Sequence, residues 1–272
     1  KIKHFFNTVD HVVFCNSGTE SVLKSFRICR ALNNKKIVIS VTGSWHGSVD
    51  QTLYLPNQKL EPIPLSSGLK SSEKKNIKFI PYNDIKKLVD ETTNKLSFPD
   101  CVINNAGIAE SADISLDIEE WDKMFDKTIS VNLKAPGLIF KEFIKYKRKN
   151  KIKTRLRFIN ISSRAAFRGE QQDYISYACS KGGLISLTKT ISRSFGEIDN
   201  VVAISIAPGF VKTDMAQSFI EEHGEEIIKK GITLDRLTEP KDISPLVSLI
   251  VSGNLDHATG STIDINGGSY LR

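Results

Sequence analysis

Apolar segments alternating with helix-length amphipathic ones predict an α/β protein with a doubly wound, mostly parallel sheet. Three observations lead there. First, Cys101–Asn105 (CVINN) and Val201–Ile206 (VVAISI) are apolar almost throughout instead of at every second residue, the pattern of parallel strands covered on both faces. Second, segments with helical periodicity, Ile118–Lys149 and Tyr177–Phe195, lie between such strands, and strand–helix–strand crossovers are how parallel strands connect. Third, the strands run out into turn-forming residues: Asn105-Ala106-Gly107, Ser162-Ser163 and Pro208-Gly209.

In chain order, His11–Asn16 reads as a short strand and Ser17–Leu32 as a helix with a capping pair, Ser17 and Glu20. Lys35–Val41 reads as the next strand, and Asn57–Lys75, rich in Pro, Ser, Lys and Gly, as a flexible loop or linker. Asn76–Ile80 and Asp84–Leu96 read as strand and helix, which continues the alternation. After the strand at Arg157–Ser162 and the helix from Tyr177, Thr213–Leu234 reads as a mobile lid helix and Thr262–Ile265 as the last strand. Gly182-Gly183 costs helix propensity, so a cofactor or a neighbouring helix is expected close by.

The chain has 272 residues, 40% of them apolar, enough for a sizeable core. No apolar run is long enough to cross a bilayer, and no leader is visible. Cys15, Cys29, Cys101 and Cys179 lack metal-ligand spacing and fall in expected strands and helices, so no metal is expected. They read as reduced, mostly buried thiols of a cytoplasmic protein. The net charge of +7 is concentrated in Lys145–Arg157 (KYKRKNKIKTRLR), which reads as a solvated helix end and not as a nucleic-acid or membrane patch.

Chemistry concentrates between Ile159 and Lys181 (INISSRAAFRGEQQDYISYACSK). Tyr177 and Lys181 stand four residues apart, on one face of a helix. A phenol titrates near 10; a nearby ammonium stabilises the phenolate and lowers that value, as general acid–base work at neutral pH requires. A serine at the end of the preceding strand, Ser163 with Ser162 as the alternative, could hold a substrate oxygen. Arg164, Phe167 and Arg168 in the intervening loop are candidates to line the substrate pocket, where a guanidinium would suit a carboxylate or phosphate.

The spacing of Tyr177 and Lys181 is weak alone, but its neighbours are specific. Val102-Ile103-Asn104-Asn105-Ala106-Gly107, Ser130-Val131-Asn132-Leu133, Ala207 to Met215 (APGFVKTDM), Arg236 to Pro240 (RLTEP) and Asp264 to Gly268 (DINGG) follow in order. Together these motifs resemble the short-chain dehydrogenase/reductase family over about residues 98–272. The resemblance implies a Rossmann-like fold, NAD or NADP as cofactor, a small carbonyl or alcohol substrate, and a homo-oligomer. Carried onto this chain, it makes Tyr177 the general acid and base, and Lys181 the residue that lowers the tyrosine's pKa and binds the nicotinamide ribose. Ser163 orients the substrate oxygen, and Asn132 supports a proton-relay water. Asn105, Ala106 and Gly107 lie beside the adenosine, and Pro208, Gly209, Val211 and Thr213 hold the nicotinamide.

The first part of the chain departs from that family. Its glycine-rich phosphate turn is imitated only by Thr42-Gly43-Ser44-Trp45-His46-Gly47-Ser48-Val49, where Val49 replaces the last glycine. Asn16 to Ser21 (NSGTES), Phe26 to Ala31 (FRICRA) and Trp45 to Asp50 (WHGSVD) instead resemble class III pyridoxal-phosphate aminotransferases of the glutamate-1-semialdehyde aminomutase type. That resemblance spans about residues 10–84 and implies that Ser17, Gly18 and Thr19 bind a phosphate and that Trp45 stacks on a cofactor ring. The aldimine-forming lysine and its acidic partner lie downstream in that family and have no counterpart here. The expected organisation is therefore an atypical N-terminal βαβ segment with linker at 1–84 and a catalytic part at 85–272. The leading function is interconversion of a secondary alcohol and a ketone by hydride transfer. The alternatives are an aminotransferase-related protein and a hybrid with impaired cofactor binding.

Overall fold

The computed structural model describes residues 38–41, 50–80, 84–212, 220–221, 224–229, 231–234 and 236–272. The chain divides into two compact units, Lys1–Glu91 and Thr92–Arg272. In the first, β1 (Val38–Val41) and β4 (Ile77–Ile80) run parallel, with Val38 opposite Ile77. Between them β2 (Tyr54–Pro56) and β3 (Pro62–Pro64) form an antiparallel hairpin. Asn57 closes its turn by accepting from the backbone N–H groups of Lys59 at 2.8 Å and Glu61 at 2.9 Å, the local bonding that makes Asn a turn residue. Tyr54, Leu69, Ile77 and Phe79 form a small core, and the Tyr54 hydroxyl donates to Lys70 O at 2.9 Å. Asn57–Lys75, expected as a flexible linker, thus contains a strand, a turn and core residues. Its Pro and Ser content hid Leu69 and the hairpin register.

Helix α1 (Ile85–Leu96) spans the division between the units. The second unit carries four parallel strands in the order β5 (Cys101–Asn104), β6 (Leu156–Ile161), β7 (Val201–Pro208) and β8 (Thr262–Ile265). Asn104 pairs with Asn160, Ile161 with Ile206, and Pro208 with Ile265. Every residue of β7 is buried, as its unbroken apolar run requires. At β5 the expected two-sided burial fails, because Ile103 stays 45% exposed. This strand pairs on one side only within the described sheet.

Ile118–Lys149 is helical throughout, but in three pieces. Helix α2 (Ile118–Ile129), capped by Asp117 onto Glu120 N–H at 2.8 Å, passes through one π-helical turn, Ser130–Lys134, into α3 (Ala135–Lys149). After the short α4 (Ala165–Arg168), α5 (Ile175–Asp199) ends at Asn200, whose left-handed φ of 53° stops the helix. Phe140 of α3 meets Phe158 of β6 and Phe195 of α5 edge-on, at 5.2 and 4.9 Å between ring centroids. Gly183 lets α5 approach the π turn: a Cβ there would stand 2.6 Å from Leu133 Cδ2. The neighbour expected from the glycine pair is therefore a helix.

In the stretch expected as one lid helix, residues 220–221 are helical and α6 spans Glu225–Lys229 after Gly224 at φ 78°; residues 213–219, 222–223 and 230 lie outside the description. Helix α7 (Pro240–Val251) opens with a capping box between Glu239 and Asp242, and Arg236 grips Asp242 through two bonds of 2.6 and 2.7 Å. Cys179 is exposed, against the expectation of burial, whereas burial pushes the half-covered Cys101 thiol up to about 11. Cys15 and Cys29 lie outside the described residues. Among the described residues no helix is long and apolar enough to cross a membrane.

Candidate active site

Because β5 to β8 are parallel, their C-terminal ends open on one edge, where ligands bind in open α/β sheets. Asn104 to Gly107 leave from β5, Ser162 and Ser163 from β6, Pro208 and Gly209 from β7, and Asn266 from β8. Helix α5 brings Tyr177 and Lys181 to the same edge. The Lys181 ammonium lies 5.6 Å from the Tyr177 ring centroid and donates to Ile161 O, the last carbonyl of β6, at 2.9 Å.

The two serines separate by their partners. The Ser162 hydroxyl is spent on Lys181 O at 2.9 Å. The Ser163 hydroxyl accepts from Ala165 N–H at 3.1 Å and is near enough to the Tyr177 phenol to pull its pKa down. Ser163 is thus the serine beside the tyrosine, and Ser162 is a positioning residue that ties β6 to α5.

The electrostatics differ from the sequence expectation. Burial raises the Tyr177 pKa; the Ser163 hydroxyl and the Arg164 charge pull it down, and the Glu170 charge pushes it up. The nearby cation that lowers it is Arg164. Lys181, expected in that role, is itself lowered to about 8 by burial, which weakens its hold as a charge. At neutral pH the phenol is protonated and ready to donate. The lysine is still mostly charged but sits close to its own titration.

Asn132 lies in the π turn, a distortion that often marks functional helices. Its Oδ1 accepts from Ile108 N–H at 2.9 Å, and its Nδ2 donates to Ile108 O at 2.8 Å and to Ser180 Oγ at 3.0 Å. Ser180 in turn donates to Tyr177 O at 2.7 Å. The side chain expected to support a relay water therefore clamps the loop after β5 and, through Ser180, the turn of α5 that bears Tyr177. The sequence reading missed Ser180, although its place directly before Lys181 and one turn after Tyr177 was visible. A second missed chain runs from Asn104 to Asn160 at 2.7 Å, on to Thr188 at 2.8 Å and to Leu184 O at 2.9 Å. It fixes the end of β5 by long-range contacts that no local motif announces.

Gly107 faces this group: a Cβ there would stand 3.2 Å from Lys181 Nζ and 3.4 Å from Asn132 Oδ1. A side chain there would press on the ammonium and on the Asn132 amide. Asn105 and Ala106 are exposed beside it. Gly209 is forced by packing, since its Cβ would fall 2.8 Å from Asn266 Cα. Val211 pairs with Thr238 in a bridge that extends this edge. The structure thus gathers Asn105, Ala106, Gly107, Asn132, Ser163, Tyr177, Lys181, Pro208, Gly209 and Val211 at loops and helices of the strand ends. Thr213 lies outside the described residues, as do Ser17, Gly18, Thr19, Trp45 and the 42–49 turn.

A parallel sheet whose strand ends carry a serine, tyrosine and lysine defines an oxidoreductase class. Residues 81–270 match the family described as enoyl-(acyl carrier protein) reductase. The chain belongs to the short-chain dehydrogenase/reductase family, NAD(P)-dependent oxidoreductases acting on carbonyl and alcohol groups. Among its relatives, the 3-oxoacyl-(acyl carrier protein) reductase of Rickettsia conorii is 35% identical over 178 residues, 65% of this chain and 70% of that protein. An acetoacetyl-CoA reductase of an Acinetobacter species is 30% identical over 173 residues, 63% of this chain and 66% of its own length. A 4-hydroxyisoleucine dehydrogenase mutant solved with NADH and succinate superposes at TM-score 0.67 and 26% identity, covering 93% of this chain and 95% of that one.

Proposed function

We propose that Tyr177, Ser163 and Lys181, supported by Asn132, carry out the proton chemistry of this oxidoreductase on a secondary alcohol or ketone. One observation carries the reading: a half-buried, protonated phenol whose pKa Ser163 pulls down stands beside a buried ammonium at the strand ends. The notch at Gly107, bordered by Lys181 and Asn132, fits the hydroxyl-rich ribose of a nicotinamide dinucleotide. Asn105, Ala106 and Gly107 would flank the cofactor, with Pro208, Gly209, Val211 and Thr213 along its nicotinamide. When bound, the nicotinamide supplies or accepts the hydride.

The chain's residues manage position and proton. Ser163 donates to the substrate oxygen and holds it against the phenol. Tyr177 gives its proton to that oxygen as the carbonyl becomes an alcohol, and takes it back in the reverse direction. Lys181 keeps a positive charge near the phenolate that donation leaves behind. Asn132 and Ser180 fix the loop and the helix turn on which this geometry depends. The raised Tyr177 pKa keeps the acid form abundant, so ketone reduction should be flat up to about pH 7 and fall as Lys181 loses its charge around pH 8, whereas alcohol oxidation, which needs the phenolate, should have the more alkaline optimum.

Fluorescence titration of the purified chain with NADH and NADPH, followed by turnover of a simple methyl ketone, tests the reading. Saturable enhancement and turnover support it; tight binding without turnover of any ketone or alcohol would remove the catalytic assignment. Within Lys145–Arg157, Arg148 is held by Asp199 and both Arg155 and Arg157 by Asp256, which counts against a nucleic-acid or membrane partner. Exposed Ile118, Leu138 and Ile175 support a homo-oligomer, and a free thiol at Cys179 suits the reducing cytoplasm. Sedimentation velocity tests the first of these. An aminotransferase-like segment at 10–84 rests on its motifs alone; visible absorbance on adding pyridoxal phosphate, lost in Trp45→Ala, would support it.

A further inference from the structure

The loop between Ser163 and Tyr177 pairs its charges unevenly. It contains Arg164, Arg168, Glu170 and Asp173. Arg168 satisfies Glu170 through both carboxylate oxygens at 3.0 Å. Arg272, which lies over Phe167 of the same loop at 4.1 Å from the ring centroid, is held by Asp264 at 2.8 Å. Among the described residues, no carboxylate lies within ion-pair distance of Arg164, although its side chain is half-buried and loses hydration accordingly. Its backbone is pinned: the Arg164 N–H donates to Pro208 O at 3.0 Å, and its own carbonyl accepts from Phe167 and Arg168. A half-buried cation next to Ser163, near enough to Tyr177 to act on its charge and favoured by the Glu170 charge only from beyond ion-pair distance, is costly unless a ligand supplies a closer counter-ion.

We infer that Arg164 anchors a carboxylate of the substrate, so that the ketone reduced here belongs to a keto acid whose carboxylate lies a few bonds from the reacting carbonyl. The inference rests on the catalytic reading above. A planar guanidinium offers two parallel N–H donors to a carboxylate, which fixes the orientation of the carbonyl against Ser163 and Tyr177 as well as adding affinity. An ester or thioester at the same place offers no charge and would leave the guanidinium as it is now.

The test is the ratio of kcat/KM for acetoacetate to that for methyl acetoacetate, in the wild type, Arg164→Gln and Arg164→Lys, with acetoacetyl-CoA as a third arm. Arg164 also acts on Tyr177, and a ratio cancels that effect because both substrates share the phenol. The wild type should prefer the acid by about 10- to 100-fold, the discrimination expected of a charge-assisted bidentate contact. Arg164→Gln should bring the ratio near one, and Arg164→Lys should restore part of it. A wild-type ratio near one, a thioester that outruns the acid, or a ratio unchanged in Arg164→Gln would overturn the inference. Binding of acetoacetate to the NADH-saturated protein, read by calorimetry, separates the two readings. Binding lost in Arg164→Gln without any turnover would defeat the catalytic reading and keep the anion site. Turnover of all three substrates without preference would do the reverse.

Discussion

Two buried lysines, Lys147 and Lys181, answer different needs with the same side chain. They are about equally covered, at 3% and 4% exposure, and burial lowers the pKa of both. Lys147, at the end of α3, donates to Ile152 O at 2.8 Å and to Thr154 O, lies over the Phe98 ring, and is supported by the Asp199 charge. It closes the turn between α3 and β6. Lys181 has one carbonyl, Ile161 O, and no carboxylate among the causes of its shift; burial alone takes it to about 8. An ammonium has three donors, so Lys181 keeps some in reserve beside Gly107 and the Tyr177 ring. Burial therefore does not separate a structural lysine from a functional one. Unspent donors beside the candidate acid do.

The sharpest break of that comparison is methionine at each position. Lys181→Met should lower kcat/KM by about 10²- to 10³-fold, since it removes the charge that accompanies phenolate formation. It should also change the pH dependence of stability in a defined direction. The folded-state value near 8 lies below the unfolded value near 10.4, so the unfolded chain binds more protons between them and wild-type stability rises with pH across that window. Relative to Lys181→Met, the wild type should gain about 3 kcal/mol between pH 8 and 10.5. Denaturant titrations at several pH values would check it, and parallel curves would contradict the burial account.

Lys147→Met should behave oppositely: about 1–3 kcal/mol less stable at pH 7, because two carbonyls lose their donor, with kcat per folded molecule unaltered. Next in size comes the serine pair. Ser163→Ala should cost about 10²-fold in kcat, whereas Ser162→Ala should cost about 1 kcal/mol of stability and under tenfold in rate. Equal kinetic losses would mean that the two hydroxyls share the substrate oxygen. Gly107→Ala is the mildest change. Its Cβ contacts of 3.2 and 3.4 Å fall on the movable Lys181 end and the clamped Asn132, so cofactor affinity should weaken several-fold with little loss of stability.

The same contrast explains what was legible in the sequence. Tyr177 and Lys181 share a helix face, and that relation is local; the unbroken apolar run of β7 and the span of β8 were readable for similar reasons. Ser163 could be preferred to Ser162 only through the family resemblance, because their roles depend on Lys181 O and Tyr177, fourteen or more residues away. The Asn132 clamp joins residues 24 and 48 positions apart, to Ile108 and Ser180, and only the packed fold sets it. The hairpin at Tyr54–Pro64 was hidden because Pro and Ser mask a register that its turn asparagine specifies. Lys181 was credited with lowering the tyrosine's pKa since spacing shows proximity but not hydration, and burial proved the larger effect on both groups.

One comparison tests the account most directly: ketone reduction by the wild type and Tyr177→Phe, with NADH and NADPH affinity measured on the same preparations by fluorescence. The phenol is the only proton donor assigned to the reacting oxygen, so its loss should lower kcat by about 10³-fold while cofactor affinity stays within a few-fold. A Tyr177→Phe protein that still reduces the ketone within tenfold of the wild-type rate would contradict the account, and the proton would then have to come from another group at this edge of the sheet.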